Sequence, residues 1–259
     1  MASLISRPLG RLILTAALMF GASAFAADTP AAAPKASSFT PAQREEMKTL
    51  IRSYLLENPE VISEAVQALQ AKEEKERADK QKKTLVSKNK ELKESAEGTV
   101  IGNPKGDVTL VEFFDYNCGY CKSMFPAVME MLKEDGKVRL VLKEFPILGP
   151  SSMTASKAAL ASVKQGKYSE FHVALMSYKG QLTDDTIMKI AKDTGLDMTK
   201  LQTDMKSDDV MKIVDKNHDL GRDLDINGTP WVLIGDTVAP GAIDKSRLKE
   251  MVAKARGKA

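Results

Sequence analysis

The sequence predicts an α/β domain preceded by an α-helical arm, on three observations. Val108 to Phe114 is a near-continuous β-branched and aromatic run, the pattern of a central strand buried on both faces. Further strand-like runs, Val138–Leu142 and Trp231–Ile234, alternate with stretches of helical periodicity. Upstream of residue 98 the periodicity is helical only, and it fades into an almost wholly charged segment. The 259 residues suffice for one large domain or two modest ones, and 43% hydrophobic with 28% charged residues excludes wholesale disorder. With 38 Lys+Arg against 35 Asp+Glu the chain is nearly neutral, so no nucleic-acid footprint follows. Two cysteines exclude a disulfide-stapled scaffold and a zinc site of four thiolates.

Residues 1–26 read as an export signal. Arg7 and Arg11 supply the positive start, Leu12 to Ala22 the apolar run, and Ala24-Phe25-Ala26 a small-x-small cleavage site. The run is shorter than the about 20 apolar residues that span a bilayer. The mature protein is therefore expected in a bacterial periplasm, where disulfide chemistry is permitted. Residues 27–39, rich in Ala, Pro and Ser, read as a flexible leader.

Residues 40–97 read as a helical oligomerisation arm and charged stem. Thr40-Pro41 is an N-cap followed by proline in the first turn, with Met47, Leu50, Ile51, Tyr54 and Leu55 at helical spacing. Asn58-Pro59 repeats that signature before Val61, Ile62, Ala65, Val66 and Leu69. From Lys72 the chain is charged, with Ala78, Leu85 and Leu92 at intervals of seven. Such an arm buries its stripe poorly alone, so self-association as a homodimer or homotrimer is expected; the alternatives are that it lies back on the main domain or that the charge run is simply a solvated surface.

From Gly98 onward, over residues 98–259, the pattern is α/β. After the first strand, helix is expected from about Gly119 to Glu134 and strand from Val138 to Leu142. Helical stretches follow around 155–163, 168–178, 186–192 and 210–220, within an insertion of about 147–225. Trp231–Ile234 and Val238 close the sheet, and Asp244 to Lys254 forms a last helix. This order fits a thioredoxin-like sheet with a helical insertion.

Cys118-Gly119-Tyr120-Cys121 sits where the buried strand hands over to a helix. There the first sulfur meets unpaired backbone N–H groups and the positive end of the helix dipole, which stabilise a thiolate. Cys118 is thus the expected nucleophile and Cys121 the resolving thiol. An inert bridge is a poor alternative, because a four-residue loop removes little unfolded-state entropy. A metal site lacks further ligands: the only histidines, His172 and His218, read as surface or helix-packing residues. No metal and no cofactor is expected.

Phe113 to Lys122 resembles the active-site segment of the DsbA/DsbC/DsbG group of periplasmic thiol–disulfide oxidoreductases. Pro126 matches the proline of their active-site helix, Gly228-Thr229-Pro230 resembles their cis-proline loop, and Tyr168 to Leu175 resembles a helix of the DsbA-type insertion. The arm is similar to the oligomerisation segment of ScsC-like proteins. The resemblance implies a cis bond at Pro230 facing the cysteines. It also implies that Thr229 and Pro230, with Gly119 and Tyr120, bind an extended substrate chain. It further implies that Glu112, beneath the cysteines, relays protons to Cys121, with Lys143 as a charge partner. Implied partners are unfolded or misfolded exported proteins and a membrane redox partner that resets the cysteines.

Gly-Tyr between the cysteines and Thr229 before the proline resemble isomerases, whereas the long insertion looks DsbA-like. The expected activity is therefore disulfide isomerisation or reduction, with a DsbA-like dithiol oxidase as the alternative. A copper-binding or holdase role is a lesser alternative. Met124, Met129, Met131, Met176, Met188 and Met211 are scattered at helical positions, and no Met or His cluster stands beside Cys118.

Overall fold

A computed structural model of the protein describes residues 39–257. The expected signal and nearly all of the leader lie outside them. Contacts divide the chain into two compact units, with the break after Glu64.

In the first unit, helix α1 (Pro41–Glu57) starts on a capping box: the Thr40 hydroxyl accepts from the Gln43 N–H, and the Gln43 side chain accepts from the Thr40 N–H. None of its residues is buried, and Leu50, Ile51, Tyr54 and Leu56 are all more than half exposed. Asn58 does not act as the expected cap of the next helix. Its side-chain amide donates to the Tyr54 carbonyl at 3.0 Å, closing α1, and α2 (Glu60–Ser87) begins at Glu60.

The second unit is a five-stranded sheet with helices on both faces. Strands β1 (Val100–Gly102), β2 (Val108–Phe114), β3 (Val138–Glu144), β4 (Trp231–Ile234) and β5 (Thr237–Pro240) lie in the order β1-β3-β2-β4-β5. β2 and β3 are parallel, joined through α4 (Gly119–Asp135); the other pairs are antiparallel. Between β3 and β4 the chain inserts α5 (Pro150–Ser162), α6 (Tyr168–Ser177), α7 (Asp184–Asp193), α8 (Met198–Asp204) and α9 (Asp208–Asp223); α10 (Lys245–Ala255) follows β5. This is the thioredoxin-like arrangement with helical insertion that the sequence predicts. The three-residue β1 and the seven-residue α8 were not anticipated, being too short to show a period.

Alternation along β2 divides the core. Leu110 and Phe114 pack with Leu140 and Leu142 under α4, α10 and the insertion. Val111 and Phe113 face the other way, with Phe145, Leu220 and Trp231. That second face is covered partly from upstream: Leu92, on the short helix α3 (Asn89–Lys93), is fully buried in it, and Leu85 packs against it. Both lie in the stretch the sequence reads as stem, so its last turns belong to the core. On α9, Gly221 lies so close to Phe145 that a Cβ would sit 2.5 Å from a ring carbon, which explains the missing side chain there.

Candidate functional site

β2 ends at Phe114, and the next three residues anchor the turn into α4. Asp115, fully buried, accepts through Oδ1 from the Asn117 N–H at 2.7 Å and through Oδ2 from the Ile147 and Leu148 N–H groups at 2.9 and 3.0 Å. Tyr116 sends its hydroxyl inward, donating to Glu144 Oε1 at 3.0 Å and lying 2.9 Å from His172 Nδ1. The Asn117 side chain donates to Ser151 Oγ and accepts from the Leu182 N–H at 2.8 Å. The segment before the first cysteine is thereby tied to the loop after β3 and to the helical insertion.

Cys118 is the N-cap of α4, and both cysteines are free thiols. The Cys118 sulfur accepts from the Cys121 N–H at 3.3 Å, and its thiol faces the Thr229 carbonyl oxygen at 3.2 Å. The Thr229–Pro230 bond is cis. The hydrogen-bonded Cys121 thiol is the largest influence on Cys118. Contact with Thr229 and the N–H groups of Cys121 and Tyr120 add to it against opposing burial, and together they pull Cys118 down to about 6. The same bond with Cys118, together with burial, pushes Cys121 well above the ordinary thiol range. One sulfur is primed and the other held back.

Thiolate ultraviolet absorbance should titrate with a midpoint near this value. A midpoint of about 8.5, that of an ordinary cysteine, would refute the assignment. A depressed folded-state pKa contributes stability that is complete above the unfolded value and is lost as pH falls through the folded one. The reduced protein should therefore resist unfolding better as pH rises from about 6 toward about 9.

Glu112 lies on the β2 face that points to α4, 5% exposed, and burial, reinforced by the charge of Cys118, pushes it up to about 8. It is in turn felt by Cys121. Lys143 is not its partner. β2 and β3 pair Glu112 with Leu142 and Phe113 with Lys143, so Lys143 shares the opposite face, where its ammonium donates to the Glu91 and Glu94 carbonyls at 3.1 and 2.6 Å. Burial pulls it down to about 8.

Gly119 and Tyr120 are solvent-exposed, Tyr120 at 72%. Tyr120, Thr229 and Pro230 line a cleft of about 610 Å³ with Ile226, Trp231 and Val238, and Gln81 of α2 reaches its wall while donating to the Leu224 carbonyl at 3.1 Å. The structure thus brings Cys118, Gly119, Tyr120, Thr229 and Pro230 together at the start of α4, with Cys121 buried one turn in and Glu112 beneath. It also places there residues that the sequence did not single out: Asp115, Asn117 and Lys122, whose ammonium donates to the Tyr178 and Gly180 carbonyls. The run Asp115-Tyr116-Asn117, turn-forming residues between a buried strand and a helix, was the available signal. His172 is 1% exposed and hydrogen-bonded, not a surface residue, while His218 packs against the Phe145 ring at 4.9 Å. Among the described residues no three His, Cys, Asp or Glu side chains converge on a metal-sized site.

Comparison with known proteins matches residues 109–253 to the DSBA-like thioredoxin domain and residues 43–76 to the copper resistance protein ScsC N-terminal domain. A thioredoxin-like oxidoreductase from Silicibacter pomeroyi is 44% identical with a TM-score of 0.60, covering 62% of this chain and 92% of its own. Proteus mirabilis ScsC in a transitional conformation is 34% identical with a TM-score of 0.62, covering 86% of this chain and 99% of its own. The probable disulfide bond formation protein D of Bacillus cereus is 28% identical over 160 residues, 57% of this chain and 74% of that protein. Similarity also reaches Na(+)/H(+) antiporter NhaA 3 of Salinispora tropica, of whose length this chain spans 16%.

Proposed function

This chain belongs to the DSBA-like thioredoxin domain family, as a thiol–disulfide oxidoreductase of the DsbA/ScsC type, and from that premise we propose that it acts in the periplasm as an oligomeric disulfide isomerase of exported proteins. The observation that carries this reading is the placement of the two thiols: Cys118 caps α4 with its sulfur 3.3 Å from the Cys121 N–H and 3.2 Å from the Thr229 carbonyl, beside the cis Thr229–Pro230 bond, while Cys121 is fully buried one turn further in.

The Cys118 thiolate attacks one sulfur of a wrong disulfide in the client. A Cys118–client bond forms, and the second client sulfur leaves as a thiolate. A different client thiolate then attacks the client sulfur held by Cys118, which leaves as the thiolate it was, with no net change in electrons. If Cys121 instead loses its proton and attacks Cys118, the client leaves reduced by two electrons and the protein oxidised; a membrane redox partner would then return those electrons. In the mixed disulfide the bond to the Cys118 thiol is gone, but burial and the nearby Glu112 still disfavour the Cys121 thiolate, which prolongs the mixed disulfide and gives the client time to rearrange. Glu112 would accept the Cys121 proton. Gly119, Tyr120, Thr229 and Pro230 would hold an extended client segment along the cleft. Export by residues 1–26 and self-association through the part of residues 40–97 upstream of the core-packed Leu85 and Leu92 complete the reading. The exposed Leu50, Ile51 and Ile62 support an apolar seam between copies.

Dithiol oxidation of clients is the second reading, and the low Cys118 value favours it, because a stabilised thiolate makes the disulfide form a stronger oxidant. Refolding of scrambled ribonuclease decides between them. Wild type should isomerise it, and Leu50→Glu with Ile51→Glu should convert the protein to a monomer by light scattering and lose most isomerisation while still oxidising reduced ribonuclease. Isomerisation undiminished in the monomer overturns the role of the arm. Rapid oxidation without isomerisation in both gives the oxidase reading.

A further inference from the structure

Behind the active-site turn lies a polar cluster that the exchange steps leave unused. Glu144, at the end of β3, is 1% exposed, and its Oε1 accepts from both the Tyr116 and Tyr168 hydroxyls at 3.0 Å. Tyr116 is also 2.9 Å from His172 Nδ1, and the rings of Tyr116, Tyr168 and Phe114 enclose the imidazole. The other carboxyl oxygen, Oε2, is buried without a hydrogen-bond partner, and so is Ser156 Oγ, on the neighbouring helix. Every group facing Glu144 is neutral or acidic. These are Tyr116 and Asp115 from the turn, Ser156 from α5, and Tyr168 and His172 from α6. Asn217 from α9 donates to the Glu144 main-chain carbonyl at 3.0 Å. Glu112 of β2 acts on Tyr168 from below. No lysine or arginine pairs with the carboxyl among the described residues.

A buried carboxylate with no cation and one empty oxygen is costly, whereas a carboxylic acid satisfies the cluster. A proton on Oε2 would give that oxygen a hydrogen to offer, and Ser156 Oγ, the other buried group without a partner, is the acceptor that acts on Glu144 from α5. The His172 Nδ1–H then donates to the Tyr116 oxygen, and both tyrosines donate to Oε1. We propose that Glu144, held as a neutral carboxylic acid among Tyr116, Tyr168, His172 and Ser156, is a positioning residue that fixes the Asp115–Cys118 segment through Tyr116, and that its ionisation loosens the segment and slows exchange at Cys118. Burial pushes Glu144 up to about 8 and pulls His172 down to about 3, which agrees with both being neutral at physiological pH. The lever is short: Tyr116 is two residues from the nucleophile, and the Cys118 N–H donates to the Asp115 carbonyl at 3.0 Å.

This inference rests on Cys118 being the nucleophile, so its test includes a readout independent of client turnover. The full-length protein is titrated by thiolate absorbance, and its exchange with oxidised glutathione is followed against pH. In wild type the rate should fall by about tenfold as pH rises past the ionisation of Glu144, less than the roughly 100-fold that a misplacement of about 1 Å at the reacting group can cost. Glu144→Gln, which keeps the acceptor and supplies an amide hydrogen for Ser156, should keep the rate at neutral pH and abolish that fall. Tyr116→Phe should slow exchange by about tenfold at neutral pH and move the Cys118 midpoint upward. Coincident pH profiles for wild type and Glu144→Gln overturn the proposal, as does an unmoved Cys118 midpoint in Tyr116→Phe. A role in stability alone would lower the melting temperature of either variant without touching midpoint or profile. If Glu144→Gln does not fold, Tyr116→Phe decides alone. Loss of isomerisation with these titrations intact would sink the proposed function and leave Glu144 standing.

Discussion

Cys118→Ser is expected to lower every exchange activity by at least about 1,000-fold, because a serine hydroxyl is not ionised near neutral pH and forms no disulfide. Cys121→Ser should behave differently. The nucleophile remains, but the route by which Cys121 releases a stalled client is removed, so mixed disulfides should accumulate and appear as adducts on non-reducing gels. The asymmetry follows from position. Cys118 caps α4 against the Thr229 carbonyl, whereas Cys121 lies one turn inside the helix and is fully buried. Equal residual activity in the two variants would remove the division of roles.

Leu92→Ala should destabilise the catalytic unit by about 2–5 kcal/mol, the usual cost of truncating a fully buried leucine. Leu92 has no solvent exposure and packs among Val111, Phe113, Val141 and Trp231, so the cavity would open on the second face of the central strand. Leu50→Ala removes the same atoms from a side chain 67% exposed and should leave that unit's unfolding transition within about 0.5 kcal/mol of wild type. Denaturant melts of the two variants measure the contrast directly. Similar transitions would mean that α3 is not part of the cooperative core.

The contrast also shows what the sequence could and could not reveal. Val108–Phe114 and the Cys118–Cys121 helix start were legible because strand burial, capping and thiol activation are written in neighbouring residues. The role of Leu92 was hidden: an isolated leucine in a charged run gives no hint of the surface that will receive it. The Glu144 cluster was hidden for a related reason, since Tyr116 meets partners 28 and 56 residues away and only the folded insertion brings them together. Lys143 misled because pairing it with Glu112 required the register of two parallel strands, which a crossover helix sets and no local pattern states. Asn58 misled on a smaller scale, since the residue that begins one helix is equally able to end the one before it.

The fastening of α2 to the sheet's second face sets where this protein can be cut and rejoined. Gln81 is latched to Leu224, and Leu85 and Leu92 seal apolar surface that a chain starting at residue 98 would leave open to water. An exchangeable module of this chain therefore has its natural seam upstream of Gln81. A foreign arm spliced there inherits a sealed catalytic unit, whereas one spliced at residue 98 inherits a sticky one.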